Sequence, residues 1–310
     1  MKIHFSNVNF SSGAGPNTFA HRLAHQLSLD GHIVADQNDY DVVLIFIEPG
    51  SKLDLNKPII QRLDGIWFKP NEFKSKNVNI RSLYEKANHV IFQSEFDRTM
   101  ALKHFGEPRQ SSVIHNGISL ERVKTQREAL LEIRSRYDKV FVCSSNWHPQ
   151  KRLGSNVKLW KHLRSTQFPN SCLIIMGDSP DVRIADPNVF YTGAIPSQMC
   201  LEIYSISDWM IHLAWADHCP NVVCEALSQG CPVICAEIGG TKELVGTNGI
   251  ILRDQEKYDF TLYDYDNPPD IDVEQLTSLS DIKFEVNQDL DIAKVAHDYV
   301  NTFEFVLKNS

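Results

Sequence analysis

The feature that most constrains the fold is an alternation, run through twice, of short β-branched runs with segments of helical period. Val42-Val43-Leu44-Ile45-Phe46-Ile47 is apolar at every position, as a strand covered on both faces should be. Further strands are expected at residues 3–5, 58–63, 89–93 and 112–115, with helices at 18–29, 80–87 and 95–105 between them. From Lys139 the pattern restarts, with strands at 140–144, 173–177, 189–193, 209–213 and 232–236 and helices at 156–167, 197–206 and 221–229. Strands alternating with helices at this spacing require parallel sheets joined by right-handed crossovers. Two such series, broken near residues 118–138, imply two doubly wound, Rossmann-like α/β domains: residues 1–135 and 136–288. Within the second, residues 254–291 carry twelve acids, two bases and Pro268-Pro269, and read as an irregular, exposed stretch. The end of the chain, from Leu290, reads as a helix with Ile292, Val295, Tyr299, Phe303 and Val306 on one face, and residues 289–310 are set apart as a third unit.

Charge narrows the range of partners. The net charge is −8, yet residues 1–135 hold 17 basic against 15 acidic side chains, and the remainder is strongly acidic. Between Lys52 and Lys86 eight basic residues face four acidic ones, so the first half is a candidate for peripheral contact with lipid headgroups or an anionic acceptor. A solvated loop explains the same stretch more simply. No nucleic-acid partner is expected, because the overall charge is negative and no known binding module appears. The seven cysteines lie in the second half without a CxxC pair, which points to buried, reduced thiols rather than disulfides or zinc. With no membrane-length apolar run and no secretory leader pattern at Met1, the expected location is cytoplasmic, at most peripheral to a membrane.

Ligands of open α/β sheets bind beyond the carboxyl ends of the strands. Four stretches fall there. Gly13-Ala14-Gly15-Pro16 joins the first strand to the first helix; its amides suit a phosphate, but the spacing is not GxGxxG, which disfavours a dinucleotide, and a plain tight turn explains it equally well. Ser145-Asn146-Trp147-His148-Pro149-Gln150-Lys151-Arg152 sets two cations at a strand end, where they can neutralise charge growing on a diphosphate leaving group. Asp217-His218-Cys219-Pro220-Asn221 leads into the helix that carries Glu225, so two acids can meet one hydroxyl-rich ligand from two sides. Ile238-Gly239-Gly240-Thr241-Lys242-Glu243 offers a second set of amides for an anion.

In order, these stretches resemble the signature of glycosyltransferase family 4, a retaining group with the GT-B fold. The family pattern E-x7-E, A-x-x-x-G-x-P-V and G-G-x-x-E is met by Asp217 with Glu225, by Ala226, Gly230, Pro232 and Val233, and by Gly239, Gly240 and Glu243. The Trp147–Arg152 stretch is similar to the W-R-P-x-K-R form of that family. Gly177-Asp178, Thr192–Pro196, Ile114–Ile118, Arg62–Gly65 and Phe92–Phe96 also match, so the likeness covers nearly the whole chain.

The resemblance implies a hexosyltransferase using a UDP- or GDP-sugar donor and a glycan, lipid-linked or protein-linked acceptor, with no cofactor and no metal. The first domain would serve the acceptor, the second the donor, and the last helix would cross back to brace the first. Glu225 would bind the donor ribose, Asp217 the donor sugar, and Lys151 with Arg152 the diphosphate, assisted by amides near Gly13, Gly15 and Gly240. Ile195 would lie against the base, Asp64 would face the acceptor or the reacting sugar, and Gly177, Asn221 and Gly239 would complete the donor pocket. The implied reaction retains the anomeric configuration, the acceptor attacking from the leaving-group side while the β-phosphate takes its proton. Asp217 stands where the family has Glu, and His148 where the W-R-P-x-K-R form has Arg. The rival readings are a nucleotide-sugar epimerase of the same shape, an inert sugar-binding relative and, least favoured, an NAD-dependent dehydrogenase.

Overall fold

The computed structural model describes residues 1–11, 15–36, 38–50, 57–178 and 183–309. In the first half, β1 (Lys2–Ser6), α1 (Gly15–Leu29), β2 (Ile33–Ala35), β3 (Val42–Phe46) and β4 (Ile59–Leu63) are followed by α2 (Phe73–Lys76), α3 (Val78–Tyr84), β5 (His89–Phe92), α4 (Glu95–Phe105) and β6 (Ser111–Val113). In the second, α5 (Glu128–Arg136) precedes β7 (Lys139–Ser144), α6 (Leu153–Thr166), β8 (Ser171–Met176), β9 (Val189–Gly193) and α7 (Ser197–Ile206). Then come β10 (Trp209–His212), α8 (Asn221–Ser228), β11 (Val233–Ala236), α9 (Thr241–Val245), β12 (Gly249–Leu252) and, after a long irregular segment, α10 (Ile292–Lys308).

The strands make two six-stranded sheets, ordered β2-β1-β3-β4-β5-β6 and β12-β11-β10-β7-β8-β9, with every pairing parallel. Strand order reverses between β1 and β3 in the first sheet and between β7 and β10 in the second. A crevice opens at such a point because the crossovers leave in opposite directions. The central strands are buried at every position of β3, β4, β8, β10 and β11, which is why most of them read as nearly continuous apolar runs; β4 is equally buried yet carries Gln61 and Arg62.

The two halves are joined by neighbouring crossings. Ile118 donates its amide to the Leu290 carbonyl at 2.8 Å, and Ile292 returns one to Ile118 at 3.0 Å. Gly117 is needed there, since a Cβ would come within 2.9 Å of Val295 Cβ. From this crossing α10 runs back over the first sheet, packing Val295, Tyr299, Phe303 and Val306 with Phe19, Leu23 and Phe5 in one core.

Residues 254–291 are irregular, as expected, but they are not simply exposed. Ile271, Val273, Leu276 and Leu279 are buried in the core of the second sheet, and Tyr258, Phe260, Tyr263 and Tyr265 pack against the core of the first. The acids between them give the stretch its polar appearance while the apolar residues form its inner side. β2, α2, α5 and β12 have no counterpart in the sequence reading; the first three are short or amphipathic elements without a continuous apolar run, and β12 is a four-residue edge strand. The basic character of residues 57–86 is largely met within the protein. Arg62 is buried, Lys69 pairs with Asp264 and Asp266, Lys76 with Glu72, and Arg81 with Glu85. All seven cysteines are free thiols, and six are buried. Among the described residues no helix is long and apolar enough to cross a membrane.

Candidate active site

Two loops at the reversal point of the second sheet form the floor of the site. The loop after β7 ends in a 3-10 turn, Pro149–Lys151, and the loop after β10 passes through Trp215 and Asp217. Gln150 and Trp215 tie them together: the Trp215 amide donates to the Gln150 carbonyl and Gln150 Nε2 to the Trp215 carbonyl, both at 2.9 Å. Asn156 braces the same turn, donating to the carbonyls of Lys151 and Arg152 at 3.0 and 2.9 Å. Lys151 Nζ is thereby held 2.6 Å from Asp217 Oδ2, which His212 Nε2 approaches at 3.2 Å. Burial would raise the Asp217 pKa, but Lys151 and His212 outweigh it and hold the carboxyl well below the usual carboxylate range. An ionised acid and a lysine ammonium therefore stand together at the bottom of a crevice.

The walls come from both halves of the chain. Asp64, just beyond β4, pairs with Arg62, whose guanidinium also donates to Asn116 Oδ1 at 2.6 Å and lies over the rings of Phe19 and Phe46. Gly15 begins α1, and its carbonyl accepts from Asn221 Nδ2 at 2.8 Å at the head of α8. Two turns further along α1 and one along α8, Arg22 pairs with Glu225. Gly177 follows β8 at φ +102°, and a Cβ there would strike the Ser145 carbonyl, so only glycine lets the two loops lie this close. Ile195 also lines the site. Together these groups enclose a cleft of about 780 Å³ between the sheets.

The cleft brings together Lys151, Asp217, Asp64, Glu225, Gly15, Gly177, Ile195 and Asn221. It does not include Arg152, Gly239 or Gly240. Arg152 turns away from its neighbour in a left-handed backbone conformation, and its side chain, 3% exposed, donates to Asp254 at 2.7 Å and to the Pro269 carbonyl. It clamps the irregular segment rather than facing an anion. The Gly240 amide is already engaged, donating to the Asp217 carbonyl at 2.8 Å, and Gly239 bridges to Asp217. Residues 238–243 therefore shape the Asp217 loop, and the Gly240 amide is spent on that contact rather than left free for an anion. Gly13 lies outside the described residues.

The second half carries the stretch that resembles a known family. Residues 138–261 match the family model described as Glycosyl transferases group 1. Over those residues the chain is similar to group 1 glycosyl transferases. Two curated relatives support this: an uncharacterized glycosyltransferase of Methanocaldococcus jannaschii, 21% identical over 56% of this chain, and TuaC of Bacillus subtilis, assigned to teichuronic acid biosynthesis as a glycosyltransferase, 26% identical over 46%. The matched stretches span 47% and 37% of those proteins. The fold of the whole chain is GT-B. HepE of Anabaena, solved with UDP, superposes with a TM-score of 0.68 at 17% identity, covering 98% of this chain and 100% of HepE. A glycosyltransferase of Rickettsia africae gives 0.66 at 14% identity, covering 100% and 99%.

Around this domain the structure adds residues that sequence reasoning did not single out. His212 orients Asp217 from the end of an apolar strand, a position at which a lone polar residue is itself a signal. His218 lines the cleft with its Nδ1 3.5 Å from the fully buried Asp97, a residue of the first half. Burial pushes Asp97 up to about 8 and His218 down to about 4, so at neutral pH the pair is uncharged, with the proton on Asp97. Arg22 reaches Glu225 from a helix 203 positions earlier in the chain, and no local pattern could have paired them.

Proposed function

We propose that this chain is a retaining glycosyltransferase that moves a hexose-type sugar from a UDP- or GDP-sugar to a hydroxyl of a glycan, lipid-linked or protein-linked acceptor, without a bound metal. The observation that carries the reading is the Lys151–Asp217 pair at the reversal point of the second sheet, 2.6 Å apart and facing Glu225 across one cleft. A cation at that point suits a pyrophosphate, and the paired acid suits sugar hydroxyls, because carboxylates accept hydrogen bonds strongly. On this reading the donor diphosphate draws the Lys151 ammonium from Asp217, and Asp217 then accepts from the donor sugar. Glu225 exchanges Arg22 for the ribose hydroxyls. The acceptor oxygen attacks the anomeric carbon on the face the diphosphate leaves, the carbon–oxygen bond to the β-phosphate breaks, and that phosphate oxygen takes the acceptor proton. Asp217 has both Lys151 and His212 on one oxygen, which suits an electrostatic role better than a covalent one.

The UDP and glucose held by the Anabaena neighbour make UDP-glucose the first donor to test. Seven unpaired thiols fit a cytoplasmic setting. The test is a panel of UDP- and GDP-sugars with free nucleoside diphosphate measured with and without acceptor sugars. Release that rises with acceptor, together with a new glycoside of the donor's anomeric configuration by NMR, supports the reading. Conversion of the donor without an acceptor would make the protein an epimerase, and nucleotide binding without turnover would make it an inert relative.

A further inference from the structure

A second cavity, of about 520 Å³, opens from the same Lys151, Asp217 and Asp64 but does not reach Glu225. It runs between the 3-10 turn Pro149–Lys151 and the segment that follows β4, and its walls are mainly apolar, with Ile47, Ile66, Trp67, Phe68 and Tyr265 beside the polar His148, Gln150, His218 and Asp266. We infer that this cavity is the acceptor subsite, and that it takes an acceptor whose reactive hydroxyl is borne on a ring carrying an alkyl or aryl aglycone. This inference rests on the transferase reading and adds the acceptor class to it.

Three observations carry it. The cavity is continuous with the charged end of the cleft, so a molecule seated in it presents its polar end to Asp64 and Asp217 and its apolar end to the walls. Trp67, 39% exposed, has its backbone pinned, its amide donating to Asn77 Oδ1 at 3.1 Å and its carbonyl accepting from Asn77 Nδ2 at 2.6 Å, with Asn77 itself buried; Lys76 Nζ lies 4.1 Å from its ring centroid. Ile47 stands at φ +70°, a conformation that a β-branched residue adopts only when its surroundings force it. Here they do, since its amide donates to the Arg62 carbonyl at 2.8 Å and its carbonyl accepts from Gln61 Nε2 at 2.7 Å. Strain of this kind gathers at ligand sites, and this instance sets an apolar side chain in the cavity wall. A free sugar sets one C–H face against a ring and leaves the aliphatic Ile47 and Ile66 uncovered.

In the reaction the acceptor hydroxyl forms the new bond to the anomeric carbon. The nucleoside diphosphate leaves with the electron pair of the broken bond, and the hydroxyl proton passes to its β-phosphate oxygen. The apolar aglycone takes no part in these bonds and contributes binding alone.

The test uses the full chain with whichever UDP- or GDP-sugar is turned over, and compares octyl and p-nitrophenyl glycosides with the matching free sugars as acceptors. Burying one such aglycone corresponds to about 10-fold or more, so kcat/KM should favour the glycosides by at least that factor. Trp67→Ala should cut the preference about 5-fold or more, on the same scale of lost apolar contact. Ile47→Gly, which removes wall while relieving the left-handed conformation, should do the same and serves if Trp67→Ala does not fold; affinity for UDP or GDP is the folding control. Equal kcat/KM for free sugars and glycosides, or a preference unchanged in both variants, overturns the assignment and leaves the transferase reading standing. If no donor is turned over and neither UDP nor GDP binds, both fall together.

Discussion

Lys151 and Asp217 illustrate how one residue sets the state of another. Without ligand the ammonium is neutralised by Asp217, so an incoming diphosphate must compete for it, and only an anion of higher charge gains by doing so. Lys151→Ala removes the ammonium set against the departing diphosphate on the proposed mechanism. It should lower kcat at least ~10²-fold, the scale of a single electrostatic stabiliser, which steady-state release of UDP or GDP will measure. If Lys151 supplies that charge, activity in excess EDTA should match activity in its absence; a loss restored by Mg²⁺ would contradict the metal-free assignment. Asp97 gives a prediction about stability. Its carboxyl titrates near 8 when folded, against an ordinary 3.8, chiefly because it is buried. A raised folded pKa means that the native state holds the proton longer. The contribution is therefore complete below about 4 and is lost as pH rises toward 8, by on the order of a few kcal/mol. Asp97→Asn replaces a neutral carboxyl by a neutral amide, so denaturant midpoints measured from pH 5 to 8 should fall less steeply for the variant than for the parent. Lys151, Asp217, Glu225 and Asp64 were legible because strand ends and motif spacing mark them. The true setting of Arg152 was not, since a cation beside a cation gives no sign of which one turns inward.

At the scale of elements, what was legible is what solvent exclusion writes locally. Strands buried on both faces leave continuous apolar runs, and the final helix leaves a regular stripe. The segment 254–291 was misleading because burial there alternates with acids instead of following a period. α10 is more than a trailing helix: Tyr299 and Phe303 are fully buried, and Tyr299 lies 5.9 Å from Phe19 of α1 between ring centroids. The first sheet thus borrows part of its core from the far end of the chain. Phe303→Ala should cost about 3–5 kcal/mol, as large-to-small changes of a buried aromatic do, and the loss should appear as a lowered denaturant midpoint. Near-native secondary structure at zero denaturant would show that the crossing survives the cavity.

For the molecule as a whole, the question is what couples two domains that each have their own sheet. Glu243, the acid of the G-G-x-x-E pattern, does not face the cleft. It reaches across to α4, where its two oxygens accept the amides of Glu95 and Phe96 at 2.8 and 2.9 Å, while Ser94 Oγ accepts that of Asp97. Three unpaired amides of a helix start are thereby met, two of them by a carboxylate from the other domain, where the helix dipole also favours a negative charge. His115 adds a contact to the same carboxylate at 3.2 Å. Burial would raise the Glu243 pKa, but His115 and the two amides outweigh it and lower it below the ordinary 4.5. Burial would likewise lower His115, and Glu243 outweighs it to raise that pKa above the ordinary 6.5. The acid's contribution is present above about 4.5 and lost as pH falls through its lowered pKa. The histidine's is present below about 6.5 and lost as pH rises through its raised one. Glu243→Ala should therefore cost about 2–4 kcal/mol, the scale of two hydrogen bonds to a charged group, and lower Tm by roughly 5 °C or more. The gap between variant and parent should be widest between pH 5 and 6.5 and shrink on either side. Thermal melts across pH 3.5 to 9 decide it: a gap independent of pH would mean that Glu243 acts by packing alone, and that the domains are held by something other than this charge.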